Sequence, residues 1–207
     1  MKNLLRKSII ILLLFSNYSI ITLSNDSINY VVVFAFYGDL SDTYGGGGLF
    51  SSEFTFHKSW YGASISYGHF HSKYTFLFKV PYEELEKTLE IPIHEMVNMK
   101  NSSLSFLLTP IKKKWISIDL SLGIALAKAN CFYLKNIDYS YNLAEDRFTY
   151  LYRDYQLVKR THFGYQAGFN ISFFPVQKFG IQLNSRIQHL NNGGSFFFVG
   201  SGIIFRL

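Results

Sequence analysis

From residue 116 to 127 the chain alternates without a break. Ile116, Ile118, Leu120, Leu122, Ile124 and Leu126 hold one parity, and Ser117, Asp119, Ser121, Gly123, Ala125 and Ala127 hold the other. A period of two marks a strand whose two faces meet different surroundings. The pattern recurs with Phe163, Tyr165, Ala167, Phe169, Ile171 and Phe173 opposite His162, Gly164, Gln166, Gly168, Asn170 and Ser172. It returns with Phe179, Ile181, Leu183 and Ile187 opposite Gly180, Gln182, Asn184, Arg186 and Gln188. Earlier, Phe50, Phe54 and Phe56 oppose Ser51, Glu53, Thr55 and His57. Amphipathic helical spacing is hard to find outside a short acidic stretch near Glu83 to Glu90. The pattern predicts an all-β chain of eight strands, at about 28–38, 48–57, 60–80, 88–109, 115–135, 148–174, 179–190 and 195–207. Pro81 and Pro92 interrupt the segment 72–109, where ten strands are the alternative count.

Alternation alone leaves open which face is inside, since a soluble lipocalin-like barrel shows the same period with its apolar face inward. The composition of the polar face decides the matter. A face open to water usually carries Lys, Glu and Thr, whereas here it is Gly, Ser, Asn and Gln with few charges. Such small polar groups suit a crowded lumen. The apolar face, ten or more residues long, then matches the roughly 9–11 residues a tilted strand needs to cross hydrocarbon.

Connections divide by length. His57-Lys58-Ser59, Pro110 to Lys114 and Pro175 to Lys178 are short, while Asp39 to Gly47, Pro81 to Glu90 and Asn136 to Asp146 are longer. Short periplasmic turns and longer outer loops are the asymmetry of a transmembrane barrel. Aromatics flank every short turn: Trp60 and Tyr61, Trp115, and Phe173, Phe174 and Phe179. Rings with a polar edge favour the boundary between headgroups and hydrocarbon. If an extracellular partner exists, the outer loops are its expected contact, above all Asn136 to Asp146 with Tyr150, Tyr152 and Tyr155.

Composition agrees with a lipid-facing surface, with charged residues at 16% and aromatics at 18%. The N-terminus explains part of the basic balance. Met1 to Lys7 is basic, Ser8 to Phe15 is almost wholly apolar, and Thr22-Leu23-Ser24 offers small residues for a cut before Asn25. Residues 1–24 therefore read as a secretory signal peptide and 25–207 as one outer-membrane barrel domain. Ser16, Asn17, Tyr18 and Ser19 stop the apolar run short of the ~20 residues of a helical span. Removing Lys2, Arg6 and Lys7 leaves 17 positive against 14 negative residues, and nothing points to nucleic acid. Cys131, the single cysteine, cannot form an internal disulfide.

The chain ends in Gly200-Ser201-Gly202-Ile203-Ile204-Phe205-Arg206-Leu207, which resembles the closing strand of outer-membrane barrels of the OmpA/OmpX type. The resemblance implies an eight-stranded antiparallel up-and-down transmembrane β-barrel in contact with outer-membrane lipid, and no appended domain. It also implies that the barrel assembly machinery reads Ile203, Phe205 and Leu207, although Leu207 stands where an aromatic is usual.

Candidate chemistry is sparse. The Gly45 to Gly48 run lacks the Lys-Ser/Thr of a phosphate loop, His69 and His71 share a face without a third metal ligand, and no cofactor motif is present. Eight strands enclose a space that side chains can fill, so a closed polar lumen is expected. Glu53, Asp119 and Arg186 share the inward parity near short turns, so Arg186 is expected to pair with Glu53, Asp119 or both. Gln166, Asn170, Gln182 and Asn184 would complete the network. One segment, Arg186 to Gly194, resembles the His-x-Ser-Asn-x-Gly stretch of PagL-type lipid A deacylases. His189, Asn192 and Gly194 match, but Asn191 occupies the place of the nucleophilic Ser, and no downstream Glu follows. An amide cannot form an acyl-enzyme. A hairpin turn is the other reading of Asn191-Asn192-Gly193-Gly194, and a non-enzymatic structural or surface-interaction role is the one favoured.

Overall fold

The computed structural model describes residues 28–41, 45–82 and 87–207; the expected leader lies outside them. Eight antiparallel strands follow in chain order: β1 (Ile28–Asp39), β2 (Gly47–Lys58), β3 (Tyr61–Tyr82), β4 (Lys87–Lys112), β5 (Ile116–Asn142), β6 (Arg147–Val176), β7 (Phe179–Leu190) and β8 (Gly194–Arg206). Each pairs with its neighbour, and β1 pairs with β8 from Val31↔Arg206 to Asp39↔Phe198. The result is a closed up-and-down barrel, which leaves no sheet edge unpaired within the ring.

The alternating positions sort as the pattern predicts. Ser117, Asp119, Ala125, Gln166, Gln182 and Asn184 are buried in the lumen, while Leu122, Ile124, Phe163, Tyr165, Ile181 and Leu183 stand exposed on the outside. Trp60 and Trp115 project beside the short turns, 54% and 60% exposed, and Trp60 meets Tyr61 edge-on at 5.6 Å. An aromatic ring thus borders the apolar belt at that end.

The other end departs from the expectation. Asn136 to Asp146 is not a loop. β5 continues to Asn142 and β6 starts at Arg147, so only residues 143–146 turn. Likewise β3 runs to Tyr82 and β4 starts at Lys87, inside the acidic stretch with helical spacing. Alternation explains the first extension: Ile137, Tyr139 and Tyr141 still oppose Asp138, Ser140 and Asn142, and Tyr favours strands. The prolines are tolerated because the missing N–H is not needed there. Pro92 pairs only with Leu77, since β4 meets β5 no earlier than Met96↔Phe132. Pro110 falls in the irregularity between Leu108 and Ile111.

The two extended hairpins pack on each other beyond the barrel. Buried Val80, Leu89, Ile91 and Ile93 of the first meet Leu134, Ile137, Tyr141, Phe148, Leu151 and Tyr155 of the second. This is an apolar core separate from the lumen. Glu95 pins its base where β4 and β5 part. Its carboxylate accepts from the Tyr74 hydroxyl at 2.5 Å and from the Leu134 backbone N–H at 3.1 Å. A side chain there does what the departed strand would have done.

Candidate functional site

The lumen is layered along its axis. At the extended-hairpin end it is filled by Tyr37, Leu49, Phe70, Met99, Phe196 and Phe198, all essentially buried. Phe196 and Phe198 stack at 5.5 Å, with Phe70 edge-on at 5.6 and 6.0 Å. This apolar plug differs from the polar filling expected of the lumen, an expectation that gave the large rings to the outward face. The run Phe196-Phe197-Phe198 hides its parity locally; counting back from outward Ile203 and Phe205 reveals it.

Below the rings the polar groups form separate clusters and not one network. Arg186 Nη2 donates to Glu53 Oε2 at 3.2 Å, with the two side chains 8% and 11% exposed. The guanidinium also lies 5.2 Å over the Tyr37 ring and 3.3 Å from its hydroxyl. Asp119 does not join Arg186. Arg186 is seven residues into β7 and Glu53 five from the end of β2, whereas Asp119 is only three into β5, nearer the short turns. Its carboxylate instead accepts from Thr109 Oγ1 at 2.7 Å, and His57 Nδ1 lies 3.3 Å from the same hydroxyl.

The amides divide further. Gln166 Nε2 donates to Ser103 and Ser105, both at 2.8 Å, and Gln182 Nε2 donates to Ser172 at 3.0 Å. Asn101 and Gln188, which sequence reading did not single out, exchange reciprocal bonds of 2.6 and 3.2 Å. Asn184 is buried, yet its amide atoms meet no partner among the described residues. Asn170 faces the short-turn end of the lumen. There the space opens into a cavity of about 570 Å³ bordered by His57, Thr109, Asp119, Asn170, Lys112 and Arg206. Arg206 lies 3.3 Å over the Phe174 ring and donates to the Lys114 carbonyl at 3.2 Å. The lumen expected to be filled by polar side chains thus also carries an aromatic layer, at the extended-hairpin end above the buried polar clusters.

On the outside, residues 191–193 turn between β7 and β8, with Asn192 at φ 56° and Gly194 at φ 89°. Those left-handed angles are what Asn and Gly tolerate best. The Asn191 backbone is held by its N–H to the Phe163 carbonyl at 2.9 Å, and its own carbonyl lies 3.1 Å from His162 Nδ1. His189 points outward from the barrel rim, its ring 5.2 Å from Tyr165. Its Nδ1 lies 2.8 Å from the Ser195 hydroxyl, the residue directly across the β7–β8 ladder. Ser195 escapes sequence analysis because the pairing crosses the turn. His69 and His71 also face outward, with His71 Nδ1 2.7 Å from Asn98 Oδ1. No group of three or more His, Cys, Asp or Glu converges on a common point among the described residues.

No protein-family model matches the chain, and no characterised protein matches it in sequence. Solved structures do. Neisserial surface protein A aligns over 87% of this chain and 99% of its own, with 10% identity and a TM-score of 0.55. A major outer membrane protein from Thermus thermophilus aligns over 87% and 100%, with 12% identity and a TM-score of 0.54. At such identities the likeness is one of fold. The chain has the architecture of the small eight-stranded transmembrane barrels of bacterial outer membranes.

Proposed function

We propose that this chain is a non-enzymatic outer-membrane barrel that holds a rigid contact platform outside the cell. The supporting observation is the second apolar core. Two hairpins that merely loop out need no buried Ile91 and Ile93, and packing them fixes the direction in which their outer faces point. Those faces carry Tyr150 and Tyr152, 53% and 51% exposed, on the side away from the core. Tyr155, expected to join them, instead stacks on Phe132 at 4.8 Å and belongs to the packing.

In this reading the short turns lie in the periplasm, the belt meets lipid, and the lumen is closed to ions. Lipid A chains and phospholipid tails cover the belt, the assembly machinery engages outward Ile203, Phe205 and Leu207, and no nucleic acid or cofactor takes part. The test compares cells bearing the wild type with cells bearing Tyr150→Ser/Tyr152→Ser, measuring adhesion to surfaces coated with proteins or polysaccharides. Adhesion that depends on the barrel and falls with the two tyrosines is expected. Indistinguishable adhesion across all surfaces would refute the platform.

A second reading, a lipid A deacylase, draws on the Ser195–His189 contact, since a hydroxyl beside an imidazole is the start of a nucleophilic pair. A carboxylate orienting that imidazole is not seen among the described residues. Mass spectrometry of lipid A from cells with and without the protein separates the readings: loss of an acyl chain that requires Ser195 would favour the enzyme.

A further inference from the structure

The outward face of β4, β5 and β6 changes character abruptly at one height. Along β4 it runs Leu108, Phe106, Leu104, Ser102 and then Lys100; along β5 it runs Leu120, Leu122, Ile124, Leu126 and then Lys128. The two lysines are direct partners across the ladder. On β6, Lys159 follows Phe163 and Thr161 on the same face, and Lys128 pairs with Thr161, so Lys159 is its diagonal neighbour. His69 of β3 pairs with Lys100 and extends the row. All four side chains are exposed.

Like charges opposed across a ladder repel, and directly paired positions put their Cβ atoms only about 5 Å apart. No ion pair among the described residues neutralises them. Those pairs engage Lys79, Lys135, Arg147 and Arg186, and none includes Lys100, Lys128 or Lys159. Three ammonium groups held side by side without a carboxylate form a place for an anion.

Position identifies which anion. Lys100 is twelve residues from the end of β4 at Lys112, and Lys128 is twelve from the start of β5 at Ile116. At about 3.3 Å per residue and a tilt near 40°, twelve residues rise about 30 Å, just past the apolar band of about 25 Å that such barrels present to lipid. The row therefore begins where the acyl chains of the outer leaflet end. An occupant must lay apolar chains on Leu104, Phe106, Ile124 and Leu126 and a negative group on the lysines just above. We infer that Lys100, Lys128 and Lys159, flanked by His69, form a binding site for the phosphate of an outer-leaflet lipid. The inference rests on the outer-membrane placement proposed above and adds to it a defined headgroup chemistry.

The test uses the full mature barrel, folded into neutral detergent and incubated with bisphosphorylated lipid A or with the same lipid after phosphatase treatment. Retained lipid is counted by native mass spectrometry. The wild type should keep the phosphorylated form about tenfold or more over the dephosphorylated one, a margin reasonable for several lysines acting together. Lys100→Gln/Lys128→Gln/Lys159→Gln should lose that preference, while Lys58→Gln/Lys113→Gln/Lys178→Gln, with equal charge removed at the opposite end, should keep it. Equal retention of both lipids by the wild type would overturn the inference, and that comparison requires no variant to fold. Equal preference in the two triple variants would overturn it as well. Fractionation of cells reports separately on placement: a barrel found in the outer membrane that fails to discriminate the lipids removes this site alone.

Discussion

At the level of single residues, the most consequential contact is the ion pair between Arg186, buried in the lumen, and the largely buried Glu53. Taking one partner away leaves the other charge buried. Arg186→Ala should therefore lower stability by about 3–5 kcal/mol, whereas replacing both with apolar residues of similar volume should cost much less. Urea titration of the folded barrel, followed by its heat-modifiable mobility on gels, measures both. A loss below about 1 kcal/mol for Arg186→Ala would show that the pair is solvated. Parity alone places these two side chains inside, because it is fixed by the pleat. Depth is harder to read. Asp119 shares their parity but bonds to Thr109, since strand tilt and stagger decide which residues on neighbouring strands stand level. The Tyr37 ring over Arg186 is likewise illegible, being a contact between β1 and β7 that no local pattern encodes.

Among the elements, strand positions are the most legible feature. The predicted segment 179–190 coincides with β7, and the remaining predictions err mainly at the extended-hairpin end. The error has one physical source. Clustered turn-forming residues and prolines suggest loops, but the second apolar core rewards continued pairing past the membrane boundary. Its own signal is present in the alternation of Leu89, Ile91 and Ile93, with inward parity and no lumen left to fill. Placing a carboxylate in that core tests its role, because an unpaired buried charge is costly. Ile91→Asp should release the two hairpins, so that limited proteolysis of intact cells cleaves within 72–95 or 133–157 while the barrel remains heat-modifiable. Unchanged protease resistance would mean that the hairpins stand without that core.

For the whole molecule, the exposed apolar belt is that of a barrel spanning lipid, and the proposed closed lumen makes a separate prediction about conductance. The aromatic layer of Phe70, Phe196 and Phe198 faces one side, and the cavity of about 570 Å³ opens toward the other. Planar-bilayer recordings of the folded wild type should show no steady conductance. Phe196→Ala/Phe198→Ala, which removes the stacked pair, is the variant in which brief openings are expected. Steady current through the wild type would contradict a closed lumen but leave the placement in lipid intact. That placement carries everything else, and density-gradient separation of membranes tests it most directly. The protein should band with the outer membrane in a form whose gel mobility shifts on heating. Recovery as a soluble periplasmic protein would contradict the transmembrane barrel.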